Sequence, residues 1–125
     1  MQKIKNILIN TKAKKVLLIS ISIIGILIVY SKFLYPQIIQ KIFFVAETFA
    51  TLEQYDKGIN ELNKGLFFNP FDSEIYYRKG NAYALINRNK EAFNNYRIAI
   101  ILNRKNPKVY ASRSILYSTN FDFAR

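Results

Sequence analysis

Eight carboxylates, nineteen lysines and arginines, and nine tyrosines are the groups on this chain that could do chemistry. Paired-carboxylate catalysis needs two acids held across one bond. Glu47, Glu53, Asp56, Glu61, Asp72, Glu74, Glu91 and Asp122 form no recognisable pair and no metal-ligand spacing. The chain has no His and no Cys. The commonest general base and metal ligand, thiolate sites, disulfides and a lipid-modified cysteine are therefore all absent. Gly25, Gly58, Gly65 and Gly80 stand apart and make no phosphate-cradling loop. The expectation is a chain that is not an enzyme and uses neither cofactor nor metal.

The cations offer a different chemistry. Arg78, Lys79, Arg88, Lys90, Arg97, Arg104 and Lys105 all fall within residues 73–106. A basic helical face with aromatic neighbours could hold RNA by stacking and charge. RNA-reading helical repeats use many repeats, about one per base, and this chain is too short for that. A solvated face, or attraction to anionic lipid headgroups, is the simpler reading. The net charge of +11 is also unevenly placed: +6 on residues 1–38, −2 on 39–72, +5 on 73–106 and +2 on 107–125. More than half of it flanks an apolar run, which argues against nucleic acid as the partner.

The elements that would position these groups are helices. Tyr76, Gly80 and Tyr83 lie at steps of four and three, and so do Ala92, Tyr96 and Ala99. Such steps put each set on one helical face. Large side chains would fill the space between two antiparallel helices, and small ones would let the axes approach. Asn87-Arg88-Asn89 falls where the pair must reverse, and Asn tolerates turn geometry. The pattern Tyr76-x2-Lys79-Gly80-x2-Tyr83, then Ala92-x3-Tyr96, resembles the tetratricopeptide repeat. The period of that repeat is about 34 residues.

A second copy supports the resemblance. One period back, Tyr76 maps to Ile42, Gly80 to Ala46 and Tyr83 to Phe49; Ala92 maps to Gly58, Tyr96 to Leu62 and Ala99 to Gly65. Large positions stay large and small ones stay small. Asn69-Pro70 closes that copy, because proline stops the helix behind it. One period forward, Tyr110, Ser114 and Tyr117 begin a third copy at Pro107. The expected organisation is repeat one over 39–72, repeat two over 73–106 and a partial third over 107–125. The chain departs from the pattern at Lys79, where leucine is usual, at Gly58, where alanine is usual, and at Arg104, where the closing proline is missing. In the third copy, Asn120 onward resembles the turn and first residues of a second helix.

Before the repeats, residues 1–15 form a basic flank with Lys3, Lys5, Lys12, Lys14 and Lys15. Val16 to Tyr35 is apolar except for Lys32 near its end. Twenty helical residues span about 30 Å, the thickness of a hydrocarbon core. Tyr30, Phe33 and Tyr35 suit the interface, and Lys32 can extend its stem to the headgroups. The expectation is one transmembrane helix over 16–35. A cleaved signal peptide begins in the same way, but Tyr30 to Pro36 offers no small-residue cleavage site. The lysines favour a cytoplasmic N-terminus with the repeats on the far side; the opposite topology is the alternative, because Lys32 and Lys41 follow the span. Pro36–Ile39 would be a short joint, and Ile38, Ile39, Ile42, Phe43 and Phe44 an apolar patch that reads as repeat core or as a docking surface.

The fold expected is thus all-α: one N-terminal transmembrane helix followed by a short repeat solenoid. The family resemblance implies a protein-binding groove lined by the first helix of each repeat. Its positions here would be Phe43, Glu47 and Ala50, then Tyr77, Asn81 and Ala84, then Lys108, Ala111 and Ile115. One subfamily grips a C-terminal carboxylate with a lysine–asparagine clamp; Phe43, Tyr77 and Glu47 stand where that clamp needs other residues, so chaperone binding is not expected. Ile101, Tyr110, Ile115 and Leu116 would stay partly open, which favours a protein partner or self-association. The implied role is a single-pass adaptor that helps assemble or hold a membrane complex in a bacterial inner membrane or an organellar one. Small anchored tetratricopeptide proteins that assist photosystem I assembly share this layout, as do bacterial inner-membrane ones that work beside the translocation and envelope machinery; the resemblance to either is architectural. A structural subunit of a stable complex and an RNA-binding repeat protein are the alternatives.

Overall fold

The computed structural model describes residues 1–123. Among them the regular elements are all helical: α1 (Gln2–Val29), α2 (Tyr35–Thr51), α3 (Tyr55–Phe68), α4 (Ser73–Leu85), α5 (Asn89–Leu102) and α6 (Pro107–Phe123). Residues Tyr30–Leu34 form a π-helical segment between α1 and α2. The chain divides into two compact units, Met1–Gln37 and Ile38–Arg125.

The first unit is dominated by α1, which is long and apolar enough to cross a membrane. None of its residues is buried. From Val16 onward it is apolar on every side, the pattern of a helix that needs an apolar surround. Ser20 and Ser22 interrupt this run, but each hydroxyl donates to the carbonyl four residues back, Val16 at 2.9 Å and Leu18 at 3.0 Å. The helix thus satisfies its own hydroxyls. Pro36 explains the π segment. Proline has no N–H for the carbonyl four residues behind, and its ring crowds that carbonyl. The widened turn at Tyr30–Leu34 relieves the conflict, with the Tyr35 N–H reaching the Tyr30 carbonyl. The joint expected at Pro36–Ile39 is therefore helical backbone, although the two units do divide there, after Gln37.

The second unit repeats itself. Both bounds of α3, Tyr55 and Phe68, recur one repeat period later as Asn89 and Leu102 in α5. The starts of α4 and α6, Ser73 and Pro107, have the same separation. So do the details that end each helix. The N–H of Gln54 closes α2 on the Phe49 carbonyl at 2.8 Å, and the N–H of Arg88 closes α4 on the Tyr83 carbonyl at 2.9 Å. Each closure needs one left-handed residue, Glu53 (φ 58) and Asn87 (φ 60). Asn69 and Asn103 both end a helix in extended backbone. Their side-chain oxygens accept from the N–H groups of Phe71 and Lys105, each at 3.1 Å. Asp72 then caps α4 through the Glu74 N–H at 2.9 Å, and Asn106 bonds the Lys108 N–H at 3.1 Å.

The buried set follows the same period. Ala46 and Gly80, Gly58 and Ala92, Leu62 and Tyr96, and Gly65 and Ala99 are all buried. Glycine is needed where a ring comes close. A Cβ on Gly80 would lie 2.5 Å from Tyr96 Cε1, and one on Gly65 would lie 2.7 Å from Ile75 Cδ1. We expect Gly80→Ala to destabilise the unit by about 1–3 kcal/mol through this overpacking. Alanine's better helix propensity, up to about 1 kcal/mol, works the other way. A urea midpoint that rises instead would mean that the Tyr96 ring yields without loss.

Several expectations change. Tyr76 and Tyr83 are only half-buried. The Tyr76 hydroxyl donates to the Pro70 carbonyl at 3.0 Å, and Tyr83 carries the Arg88 guanidinium 5.0 Å above its ring. Among the described residues of α6, Val109 and Leu116 are buried and Tyr117 is exposed, while Tyr110 and Ile115 are open as expected. Leu116, expected to stay open, packs with Tyr96 and Ala99 in the core. The turn expected from Asn120 is absent, because α6 runs on to Phe123. Ala124 and Arg125, the end of that expected turn, lie outside the described residues. In the 38–44 patch, Ile39 and Ile42 are buried, while Phe44 is exposed.

Candidate partner-binding cleft

Three helices of the second unit enclose an open cleft of about 620 Å³. From α4 come Asn81, Ala84 and Leu85. From the α4–α5 turn and the start of α5 come Asn87 and Asn89. Tyr96 stands at the inner end, and α6 closes the far side with Ser112, Ile115, Leu116, Thr119 and Asn120. A second hollow of about 150 Å³ lies against α2 and α3, lined by Glu47, Ala50, Tyr55 and Arg78 among others. Asn81 and Leu85 line both, so α4 is the rib between them.

The polar groups that line the larger cleft are neutral, and two pairs of them are hydrogen-bonded to each other. The Tyr96 hydroxyl donates to Asn81 Oδ1 at 2.8 Å. Ser112 Oγ donates to the Tyr77 hydroxyl at 3.5 Å. Asn89 Nδ2 donates to Asn120 Oδ1, which links the start of α5 to the far part of α6. Burial pushes the Tyr96 hydroxyl up to about 12, with a smaller push from Tyr77 and an opposing hydrogen bond from Ser112. Tyr96 therefore stays an uncharged donor at neutral pH. Around these groups Leu85 and Ile115 are 62% and 63% exposed, so apolar surface is open to an occupant. Amides, hydroxyls and bare aliphatic side chains together suit a peptide segment held by a few anchors.

The cations near the cleft are engaged. Arg78 pairs with Glu74 at 2.9 Å and lies 4.3 Å from the Phe43 ring. Arg88 pairs with Glu91, which raises the one pKa and lowers the other. Lys79 is half-buried, and burial pulls its ammonium below the ordinary lysine value.

The expected groove residues fall in three groups. Asn81, Ala84 and Ile115 line the larger cleft, and Glu47, Ala50 and Asn81 the smaller. Phe43 is half-buried under Arg78, and Tyr77 is half-buried with its ring 6.3 Å from that of Tyr96. Lys108 and Ala111 are exposed on α6. Sequence reasoning missed Ser112, Thr119 and Asn120, and took Asn87 and Asn89 for turn residues only. The amide and hydroxyl character of Asn87, Asn89, Thr119 and Asn120 near helix ends was the available signal, and Ser112, inside α6, had none. Neither a protein-family model nor a curated protein matches this sequence.

Proposed function

We propose that this chain is a membrane-anchored adaptor of the tetratricopeptide type that binds a protein segment in the α4–α6 cleft and so helps assemble or stabilise a membrane complex. The observation that carries the reading is the cleft itself, neutral, partly apolar and open, on a unit whose helices recur with the tetratricopeptide period. The apolar α1 supports the anchor, with its lysine-rich start on the cytoplasmic side.

The test is crosslinking and affinity purification from native membranes with the full chain. Asn81 and Tyr77 support Tyr96, so they are poor probes. Ile115→Asp with Leu85→Asp changes exposed cleft residues and should leave the fold intact. Loss of a recovered complex, by about tenfold or more, is the expected result. Unchanged recovery would move the contact elsewhere. Recovery at fixed stoichiometry in mild detergent would make the chain a structural subunit.

A further inference from the structure

Residues 67–71 read Phe-Phe-Asn-Pro-Phe, and the turn they make leaves its rings outside. Phe67 is 86% exposed, Phe71 75% and Phe68 40%. The turn is nevertheless well built. Asn69 Oδ1 accepts from the Phe71 N–H, the Tyr76 hydroxyl bonds the Pro70 carbonyl, and Asp72 caps α4. The backbone is held from within, and the three phenylalanines are left for another surface. Three exposed rings so close together are an unfavourable display in water.

The repeat places a second turn at the same end. Each helix runs back along the one before it, as Ile39 beside Gly65 and Ala46 beside Gly58 show for α2 and α3 and Asn89 bonded to Asn120 for α5 and α6, so the α3–α4 and α5–α6 turns share one end of the unit and the α2–α3 and α4–α5 turns the other. At the second turn stand exposed Ile101, Arg104 and Lys105, followed by exposed Lys108 at the start of α6. The carboxylates nearby are engaged: Asp72 caps α4, and Glu74 pairs with Arg78. The opposite end has no such bias, since Lys57, Arg88 and Lys90 are matched by Glu53, Asp56 and Glu91. The chain also enters the unit at the aromatic end. Ile39 meets Gly65, where an added Cβ would lie 3.1 Å from its Cδ1, one turn before Phe68.

We infer that this end of the unit seats on an anionic phospholipid bilayer, with Phe67 and Phe71 entering the interface and Arg104, Lys105 and Lys108 meeting the headgroups. Aromatic and apolar side chains beside lysine and arginine are the composition that binds such a surface. The inference rests on the proposed anchor, which would keep the whole chain at a bilayer. Its effect is to orient the unit, leaving the α4–α6 cleft to a partner.

The chain has no Cys, so Phe71→Cys and Glu53→Cys each give a single site for an environment-sensitive fluorophore. The labelled full chain is placed in vesicles of phosphatidylcholine with about one-third phosphatidylserine, and lipid-borne quenchers report contact. The Phe71→Cys label should shift to the blue and be quenched, while the Glu53→Cys label stays aqueous. Arg104→Glu with Lys105→Glu, or vesicles without phosphatidylserine, should weaken the turn's contact about fivefold per charge interaction lost. An aqueous Phe71→Cys label on chains that float with the vesicles overturns the inference and leaves the anchor standing. Chains that do not float at all remove both. Equal quenching in neutral vesicles overturns the anionic-lipid assignment, and label self-quenching without lipid quenching assigns the patch to a second copy of this chain.

Discussion

The Tyr96→Ala variant should lose about 3–5 kcal/mol, a large share of the stability of the repeated unit. Tyr96 is 2% exposed. It fills the space that Gly80 leaves open, and its hydroxyl is bonded to Asn81 at 2.8 Å. Truncation leaves a cavity between α4 and α5 that glycine cannot fill. The measurement is urea unfolding followed by circular dichroism. Tyr96→Phe is the control: it keeps the ring and should lose only about 1 kcal/mol with the hydroxyl bond. The same pair gives a pH signature. A hydroxyl raised from 10 to about 12 in the folded state ionises first in the unfolded chain. The unfolded state then binds fewer protons, so stability falls as pH rises through that window. Because phenylalanine cannot ionise, the advantage of Tyr96 over Tyr96→Phe should shrink between pH 10 and about 12. An alanine variant as stable as wild type would place the core elsewhere.

Ile24→Lys combined with Leu27→Lys should release the chain from membranes. Both positions lie near the middle of the apolar run and on one face of α1. A lysine at the centre of a spanning helix costs about 2.5–3.5 kcal/mol, so the pair opposes insertion by roughly 5–7 kcal/mol. Carbonate extraction should move the double variant into the soluble fraction while Ile24→Val stays with the membrane. The unfolding transition of residues 38–123 should not change, because α1 buries none of its side chains. Retention of the double variant in the membrane would overturn the anchor.

The helical pairs were legible from the residues because their signal is local and doubled. A small residue at Gly58 or Ala92 and a large one at Leu62 or Tyr96 state the same helix contact twice, one period apart, and all four are buried. The apolar segment was legible for a similar reason: from Val16 to Ser31 it needs no partner residue to be recognised. Glu53 was not legible. Glutamate is an unusual choice for left-handed backbone, and only its register with Asn87 marks it.

The cleft was less legible because its lining depends on where three helices end. Asn89 and Asn120 are far apart in the sequence and meet only because α6 continues past the expected turn. Tyr117 shows the same limit from the other side. Its spacing from Tyr110 matches that of Tyr83 from Tyr76, yet it is exposed, and Val109 and Leu116 take the core positions. Periodicity tells which side chains share a face, and that much is written into the order of the residues. Whether a face is covered depends on a neighbouring helix, so the burial of Leu116, the exposure of Tyr117 and the width of the cleft were settled by packing alone.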